Sequence, residues 1–200
     1  MNFLKLNEME LDALKEVFNV GAGNAATALS QMLNKKIDMD VPSFKFIDIE
    51  ELNKKINLEN ICVGVLVNVY GDLPGSFLIL FEEDVAFDII KQLTGTTDNN
   101  FNEISESVLA EIVNIILGAY MNAISKFTNL NMVPSVPAVA FDFAGAIITT
   151  TFIASIEESD KMLEIKTILK NDNNCNLVGD FYYLPSQNSL QKIFKSIGLI

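Results

Sequence analysis

The stretch from Glu8 to Leu33, EMELDALKEVFNVGAGNAATALSQML, carries the pattern from which the rest of the fold is worked out. Its apolar residues recur at steps of three and four, which predicts one long amphipathic helix. These residues are Leu11, Leu14, Phe18, Ala22, Ala25, Leu29 and Met32. Lys35 and Lys36 follow where cations favour a helix C-terminus, and Pro42 blocks continuation, so we expect the helix to end in the mid thirties.

Part of this pattern recurs in the second half of the chain. Residues of the first helix and its flank match residues 95 positions later without a gap, from Asp12 and Ser107 to Pro42 and Pro137. The pairs between them are Glu16 and Glu111, Asn19 and Asn114, Gly23 and Gly118, Ala28 and Ala123, and Ser30 and Ser125. A duplicated unit repeats its apolar positions because packing requires them, but here polar positions recur as well.

The repeat predicts an α/β fold with pseudo-twofold symmetry, in which two long amphipathic helices pack on a largely antiparallel β-sheet. We expect a single domain, residues 1–200, built of two repeats at about 1–97 and 98–200. The polar, turn-rich linker Thr94–Asn102 marks the boundary between them.

Shorter segments supply the remaining elements. In the first half, Ile61–Tyr70 and Ser76–Phe81 predict a β-hairpin around Gly71–Gly75, and Asp84–Leu93 predicts a short helix that closes at Gly95. In the second half we expect a helix from about Glu103 to Phe127, strands at Ala146–Ile156, Lys161–Leu169 and Leu177–Leu184, and a last helix, Ser186–Ile197. Each half would then run helix, proline-marked loop, strands and short helix, with an extra hairpin in the second half.

The composition excludes several kinds of function. The 200 residues contain no His, which removes Ser/His and Cys/His catalytic arrangements and nearly every mixed His/Cys zinc site. The chain has 14 Lys plus Arg against 26 Asp plus Glu, and its net charge of −12 argues against binding to nucleic-acid phosphates or an anionic membrane surface. The expected partner is therefore a protein or a cationic patch. We also expect the chain to be a monomer.

No segment predicts a membrane span or a signal peptide. The uncharged stretches 112–125, 127–141 and 143–156 fall short of the roughly 20 apolar residues that a spanning helix needs. The N-terminus carries Lys5, Glu8 and Glu10 within an amphipathic pattern. Cys62 and Cys175 are far apart and form no CxxC motif, so we expect unpaired thiols and a cytoplasmic location.

The repeated polar residues share one face of each helix. At about 100° per residue, four residues of the first helix fall within about 60° of arc, more than a quarter turn from the apolar stripe. They are Asp12, Glu16, Asn19 and Gly23, and their counterparts are Ser107, Glu111, Asn114 and Gly118. A solvated face with a glycine kept for packing is the simple explanation. However, Asn is a mediocre helix former, and its recurrence at the same position is hard to assign to solvation.

Such a face lacks an enzyme pocket, but it can assist a partner. A carboxamide is no general base, yet it can donate to and accept from a water and so hold that water in line with a phosphoryl group. A Glu one turn away can anchor the partner through a Lys or Arg at the edge of the partner's site. The partner would then have to bring both the phosphate and the metal.

The spacing Asp/Ser-x3-Glu-x2-Asn-x22-Pro occurs from Asp12 to Pro42 and again from Ser107 to Pro137. It resembles the signature of the CheC / CheX / FliY family of chemotaxis phosphatases. The similarity extends over essentially the whole chain and includes the phrases NVGAGNAATALSQMLNKKIDMDVP, GDLPGS and VPSVPAVAFDFAGA. Two motifs favour the CheC type, because CheX resembles a version with one working motif and FliY carries additional flagellar segments. The resemblance implies a CheC-like fold.

For function, the resemblance implies a hydrolase that removes the aspartyl phosphate of the response regulator CheY in two-component signalling for chemotaxis and flagellar motility. It implies that Asn19 and Asn114 orient the attacking water and that Glu16 and Glu111 pair with the active-site Lys of the regulator. Mg²⁺ would belong to the regulator, so we expect no metal or other cofactor in this chain. The motif-supporting residues would be Asp12, Gly23, Pro42, Ser107, Gly118 and Pro137.

The family also implies a second partner, the receptor deamidase CheD. Phe141–Ala146 is the candidate contact surface, with Asp142 as its partner-binding residue, because this segment departs from its first-half counterpart at Phe46–Asp48. A strand entry buried by its own phenylalanines explains the segment equally well. The alternative function is a non-catalytic adaptor or flagellar-switch component that binds phosphorylated CheY or CheD.

Three further features call for a structural explanation. The GxGxxA pattern at Gly21–Ala26 is a fragment of the dinucleotide fingerprint, but it lies within a predicted helix, so we interpret its glycines as sites of close helix packing and partner approach. Five methionines are interpreted as core filler: Met9, Met32, Met39, Met121 and Met132. Val20-Gly21-Ala22 follows the first Asn, whereas Ile115-Ile116-Leu117 follows the second, so a bulky aliphatic wall would make the two sites unequal.

Overall fold

The first half of the chain folds as helix, strand, helix, hairpin and helix. The structure is a computed structural model that describes residues 8–34, 36–96, 100–155, 161–171, 176–186, 188–196 and 198. The elements are α1 (Glu8–Leu33), β1 (Ile37–Asp48), α2 (Ile49–Lys55), β2 (Ile61–Gly71), β3 (Gly75–Glu82) and α3 (Glu83–Thr94). The predictions of α1, the β2–β3 hairpin and α3 are confirmed, and Gly95 ends α3 with a φ of 69°.

The second half repeats this order. Its elements are α4 (Glu103–Thr128), β4 (Met132–Pro134), β5 (Ala138–Phe143), α5 (Ala144–Ser155), β6 (Lys161–Asn171), β7 (Asn176–Pro185) and α6 (Ser189–Ser196). β4 begins 95 residues after the start of β1, and β5 ends 95 residues after the end of β1. These two short strands therefore correspond to β1. The boundary predicted near residues 97 and 98 lies outside the described residues.

Residues 37–48, predicted as a proline-marked loop, form strand β1 instead. Ile37, Met39 and Val41 are buried while the aspartates between them are exposed, which is the period-two alternation of a strand. The register between β1 and β6 shifts between Asp40 and Ser43, so the proline, which has no N–H, sits at an irregularity in the ladder. In the second half, Pro137 likewise lies in the break between β4 and β5.

Residues 144–155, predicted to belong mostly to a strand, form helix α5. Their β-branched Ile and Thr residues favoured the strand prediction. The buried residues nevertheless follow helical spacing: Ala144, Ile147, Ile148 and Thr151. Because α5 packs on β2, β3 and β5, tertiary contacts override the local propensity.

The remaining boundaries correct the sequence analysis in smaller ways. The described residues of the second half contain no extra hairpin, because β6 and β7 correspond to β2 and β3. α2 was not predicted, although Asp48 caps it by accepting a hydrogen bond from the N–H of Glu51. The last helix begins at Ser189 rather than Ser186, and the predicted ends at Ile156 and Ile197 lie outside the described residues.

The strands form one antiparallel sheet, and each half of the chain supplies an edge strand that pairs with a strand of the other half. The order is β1-β6-β7-β3-β2, with β4 and β5 both paired to β2 at the far edge. The β3–β7 pair joins the two hairpins at the centre of the sheet. β1 pairs with β6 of the second half, and β5 pairs with β2 of the first. Neither half therefore has a complete sheet of its own.

Helices cover both faces of this sheet. α1, α3, α4 and α6 pack their buried residues on one face and enclose the larger core. α2 and α5 cover the other face and enclose a smaller core. Each face of the sheet is therefore covered by helices from both halves of the chain.

α1 and α4 pack against each other at a glycine. A Cβ placed on Gly21 would lie 2.4 Å from Cδ1 and 3.0 Å from Cα of Tyr120. Phe18 packs edge to face on the same tyrosine ring, with the ring centroids 5.6 Å apart. The absent side chain of Gly21 thus lets the α4 backbone approach α1, as predicted for one glycine of the GxGxxA pattern.

α4 is the single helix in the described part of the chain that is long and apolar enough to cross a membrane. Half of its most apolar window is buried inside the protein. Because α4 packs on α1, α3 and the sheet, this apolar character is what a core helix requires.

We predict that Gly21→Ala destabilises the fold. The new methyl group would meet Tyr120 at distances that carbon atoms do not adopt, so either the helices or the ring must move. Such overpacking costs about 1–3 kcal/mol, against the roughly 1 kcal/mol that Ala gains over Gly in a helix interior. Urea unfolding followed by circular dichroism should give a lower midpoint for the variant than for the natural chain.

Gly23→Ala is the matched control for this prediction. It makes the same substitution two residues away, but apart from the adjoining backbone of α1 no described atom lies within 4 Å of a Cβ at Gly23. Its unfolding midpoint should stay unchanged or rise, because Ala is the better helix former. Equal midpoints for the two variants would contradict the assignment of Gly21 to helix packing.

Candidate functional site

The polar faces of α1 and α4 lie on the outside of the helix pair. All four predicted polar-face residues of α1 are exposed: Asp12, Glu16, Asn19 and Gly23. On α4, Ser107, Glu111 and Asn114 are exposed and Gly118 is half-buried. The other faces of the two helices carry core residues such as Phe18 and Ile116. Packing on the sheet therefore turns the Glu and the Asn of each helix outward.

The Glu and Asn side chains of both faces are unengaged within the described part of the chain. Glu16, Asn19, Glu111 and Asn114 make no side-chain hydrogen bond or ion pair with another described residue. Residues three apart on a helix have Cβ atoms about 5–6 Å apart, so the Glu and the Asn can reach one ligand together. These polar groups are available to a partner molecule.

The first position of the motif differs between the two helices. Ser107 Oγ donates a hydrogen bond of 2.8 Å to the carbonyl of Glu103, one turn earlier. Asp12 instead presents an exposed carboxylate. The serine therefore bonds within its own helix, whereas the Glu and Asn positions are alike in both copies.

Gly23 and Gly118 are not packing glycines. Apart from the adjoining backbone of its own helix, no described atom lies within 4 Å of a Cβ built at either residue. The explanation that a glycine is kept on this face for internal packing is therefore wrong, since Gly21 has that role. Without side chains at these two positions, the surface stays low beside each Asn, where the backbone of a partner could approach.

The polar face of α1 and the polar face of α4 lie toward opposite ends of the helix pair. Gly21 lies against Tyr120, whereas Met32, near the end of α1, lines the same cavity as Glu111, near the start of α4. Neighbouring residues thus have increasing numbers along α1 and decreasing numbers along α4, so the two helices are antiparallel. The two Glu–Asn pairs therefore form separate sites rather than one composite site.

The aliphatic wall predicted at the second site lies mostly in the core. Ile116 and Leu117 are buried, with 0% and 1% of their surface exposed. At the surface, the residue after the Asn differs between the two sites. Val20 is 48% exposed at the first site, and Ile115 is half-buried at the second. The prediction of a bulky wall is therefore wrong for Ile116 and Leu117, and the surfaces beside Asn19 and Asn114 differ less than the sequence suggests.

The chemistry available at these faces is recognition and positioning. Among the described residues, no three His, Cys, Asp or Glu side chains lie together in a way that could hold a metal ion. An exposed Glu can attract a cation, and an exposed Asn can both donate to and accept from a water. The arrangement fits a partner that brings the reacting group with it.

The predicted partner-binding residue, Asp142, lies on the edge strand β5. Its backbone pairs with Cys62, and its carboxylate accepts a hydrogen bond of 2.7 Å from the N–H of Phe143. Phe143 is 52% exposed, and Phe141, which stacks on Phe101, is 37% exposed. The explanation that these phenylalanines bury the segment is therefore wrong, because both are exposed on a strand that pairs, among the described strands, with β2 alone.

Cys62 is a free thiol, as predicted, and Cys175 lies outside the described residues. Burial, with a smaller contribution from the nearby Asp142 carboxylate, raises the pKa of the Cys62 thiol to about 11. At neutral pH this thiol is protonated, so it has little nucleophilic character.

Two family models match separate parts of the chain. The model described as the CheC-like family matches residues 9–46, and the model described as chemotaxis phosphatase CheX matches residues 63–154. The first match contains the motif from Asp12 to Pro42, and the second contains the motif from Ser107 to Pro137. Each match thus includes one copy of the repeated polar face.

The chain is similar to two proteins of Bacillus subtilis strain 168. It is 32% identical over 203 residues to the CheY-P phosphatase CheC, and this match covers 98% of the chain and 97% of the relative. It is 30% identical over 138 residues to the flagellar motor switch phosphatase FliY, which covers 67% of the chain and 36% of that relative. The CheC match thus spans both motifs.

The fold is similar to that of a solved FliY structure from Thermotoga maritima. The TM-score is 0.79, and the match covers 97% of this chain and 98% of the other. Only 19% of the residues are identical, so this likeness concerns the fold alone.

Proposed function

Since this chain belongs to the CheC family of chemotaxis phosphatases, we propose that it hydrolyses the aspartyl phosphate of the phosphorylated response regulator CheY. Membership makes the chain a phosphatase, and so a hydrolase. The Bacillus relative, whose name states its action on CheY-P, matches this chain over almost its full length. The observation that carries the mechanism is the exposed and unengaged Glu–Asn pair on each of two helices.

Asn19 and Asn114 position the attacking water in this proposal. Each carboxamide can accept a hydrogen bond from the water and donate one to its oxygen, which aims a lone pair at phosphorus. The water oxygen bonds to phosphorus as the bond to the aspartyl oxygen breaks, giving inorganic phosphate and the free carboxylate. Because a helix backbone fixes the Asn, much of the entropy of positioning is lost before the reaction, which can contribute several kcal/mol.

Glu16 and Glu111 anchor the regulator through its active-site Lys. Each carboxylate is exposed, lies one helical turn from its Asn and has no described partner, so it can form a charge-assisted bond with a cation. The net charge of −12 adds to this attraction. We propose that Mg²⁺ stays among the ligands of the regulator and that this chain supplies none.

The remaining motif residues shape the surface and the fold around it. Gly23 and Gly118 leave open space through which the regulator can approach each Asn. Pro42 and Pro137 interrupt strand pairing after each long helix. Asp12 and Ser107 occupy the first turn of the motif, where Ser107 bonds within its helix.

We further propose that the β5 edge binds the receptor deamidase CheD. Among the described strands, β5 pairs with β2 alone, so one side of its backbone is open to a partner. Asp142 and the exposed Phe143 combine a charge with apolar surface on this edge. The edge belongs to the sheet, so CheD and CheY would occupy different surfaces. A cytoplasmic location and a monomeric state stay predictions of the sequence.

We predict that the double variant Asn19→Ala, Asn114→Ala loses most of its phosphatase activity. The rate of phosphate release from phosphorylated CheY in Mg²⁺, corrected for the regulator's own hydrolysis, should fall about 100-fold because the water loses its positioning group. Each single variant should keep the activity of the other site. Binding of phosphorylated CheY should survive, since Glu16 and Glu111 are intact.

Asn24→Ala is the matched control for this experiment. Asn24 is also an exposed Asn of α1, but it lies about 120° round the helix from Asp12. Hydrolysis by the double variant at the rate of the natural chain would contradict the mechanism. A natural chain that binds phosphorylated CheY without accelerating phosphate release would instead favour the non-catalytic adaptor.

We predict that Glu16→Gln combined with Glu111→Gln weakens regulator binding more than it slows the chemical step. The substitutions keep the size of each side chain and remove the charge that pairs with the Lys. The KM for phosphorylated CheY should rise about fivefold or more, with a smaller change in kcat. Steady-state phosphate release over a range of CheY concentrations measures both parameters.

Two controls accompany the glutamate variants. Glu106→Gln removes an exposed carboxylate from α4, about 140° round the helix from Glu111, and should leave KM unchanged. Raising the salt concentration should narrow the difference in KM between the natural and double-variant chains, because ions screen exposed charges. A fall in kcat at constant KM would show that the glutamates do not act as anchors.

We predict that Asp142→Asn weakens CheD binding. The amide keeps an oxygen that can accept from the N–H of Phe143, so the edge strand should persist while its charge is lost. The Kd measured by titration calorimetry should rise about tenfold if a cation of CheD meets this carboxylate. Asp88→Asn, at an exposed position on α3, is the matched control, and equal affinities for the two variants would remove Asp142 from the interface.

A further inference from the structure

Exposed apolar residues on α1 and α4 follow the same 95-residue offset as the polar motif. Met9 and Ile104 are 67% and 64% exposed, and Met32 and Phe127 are 38% and 50% exposed. Val20 is the other large apolar residue that is exposed among the described residues of these helices. Their recurrence in both copies is as hard to assign to solvation as that of the two asparagines.

These positions correct the interpretation of the methionines. Met39, Met121 and Met132 are buried, which confirms them as core filler. Met9 and Met32 are exposed, so that interpretation is wrong for both.

At the second site, Met32 lines a cavity beside the motif. The cavity has a volume of about 510 Å³ and lies where the end of α1, the end of α3 and the start of α4 meet. Its apolar lining residues are Met32, Leu93, Ile104 and Val108, and its polar ones include Ser107 and Glu111. The cavity thus joins an apolar surface to the carboxylate proposed to anchor the regulator.

The two parts of the lining differ in burial. Leu93 and Val108 are partly buried and pack on the main core, so they form the floor of the cavity. Met32 and Ile104 are exposed at the sides. Because a methionine side chain is unbranched and polarisable, Met32 can adapt to the shape of an inserted group. A floor packed on the core and a wall that can adapt together suit an apolar side chain.

We propose that this cavity is the specificity pocket of the second phosphatase site and receives an apolar side chain of phosphorylated CheY. The inference rests on the proposed function, because the occupant is the molecule whose Lys is bound by Glu111. Glu103 lines the same cavity, so carboxylates flank the apolar floor and favour a surface on which apolar and cationic side chains are neighbours.

The pocket links the two repeats. Glu111 and Asn114 belong to the second repeat, but Met32 comes from the last turn of α1 in the first. By the same offset and the antiparallel packing, we expect Phe127, which is 50% exposed at the end of α4, to serve the site of Glu16 and Asn19 in the same way. Each site therefore takes its polar groups from one long helix and an apolar contact from the other.

The experiment measures each site separately. Asn19→Ala leaves the second site active, and Asn114→Ala leaves the first. Met32→Gln should raise the KM for phosphorylated CheY about five- to tenfold in the Asn19→Ala chain, with kcat changed less than about twofold. In the Asn114→Ala chain, Phe127→Gln should have that effect. Met32→Leu, which keeps an apolar side chain, should restore the KM of the second site.

Leu58→Gln is the matched control. Leu58 is 36% exposed, close to the value for Met32, but it lies between α2 and β2 and contacts Gly145 on the opposite face of the sheet. Its KM should not change, and urea unfolding should confirm that each variant is folded.

Several results would overturn the proposal. A Met32→Gln effect of equal size at both sites, or an effect on kcat alone, would remove Met32 from the pocket. An unchanged KM for the second site would do the same. A different result, a natural chain that does not accelerate phosphate release from phosphorylated CheY, would overturn the proposed function instead, so the two failures are distinguishable.

Discussion

The close approach of α1 and α4 at Gly21 and Tyr120 is the constraint on which the functional surface depends. It aligns two long helices side by side and antiparallel, with their apolar faces on one side of the sheet. The polar faces are then left outside, one on each helix. The same packing brings the last turn of α1 beside the motif of α4, so the helix contact positions both the polar groups and the apolar cavity.

The sheet beneath the helices explains why the two copies form one body. β1 of the first copy pairs with the β6–β7 hairpin of the second, and β5 of the second copy pairs with the β2–β3 hairpin of the first. The two hairpins meet at the β3–β7 pair. The motif prolines lie where the pairing of these exchanged strands is interrupted, so the missing N–H of proline removes no hydrogen bond between strands. The resulting platform carries two outward-facing polar faces rather than one enclosed pocket, which suits the proposal that the partner of this His-free chain brings the phosphate and the metal.

Hydrophobic periodicity was sufficient to predict the type and the ends of a helix or strand where that element is long or clearly bounded. α1, α4, the β2–β3 hairpin and α3 have the predicted type and nearly the predicted ends, because each combines a regular pattern with a strong turn signal. β1 was missed because a single proline outweighed the alternation from Ile37 to Val41. α5 was mistaken for a strand because its Ile and Thr residues have high β-propensity, although Ala144, Ile147, Ile148 and Thr151 already had helical spacing.

The sequence by itself determined that one polar face occurs twice, at a constant spacing, on two amphipathic helices, because that information is local and periodic. Only the tertiary structure decided which glycine packs and which stays open, since Gly21 and Gly23 differ in what lies across from them. It also decided which strands pair across the two copies, that β5 lies at the edge of the described sheet, and that Met32 and Glu111 line one cavity. These features depend on contacts between residues far apart in the chain, and the packing of the whole core, rather than any local pattern, selects them.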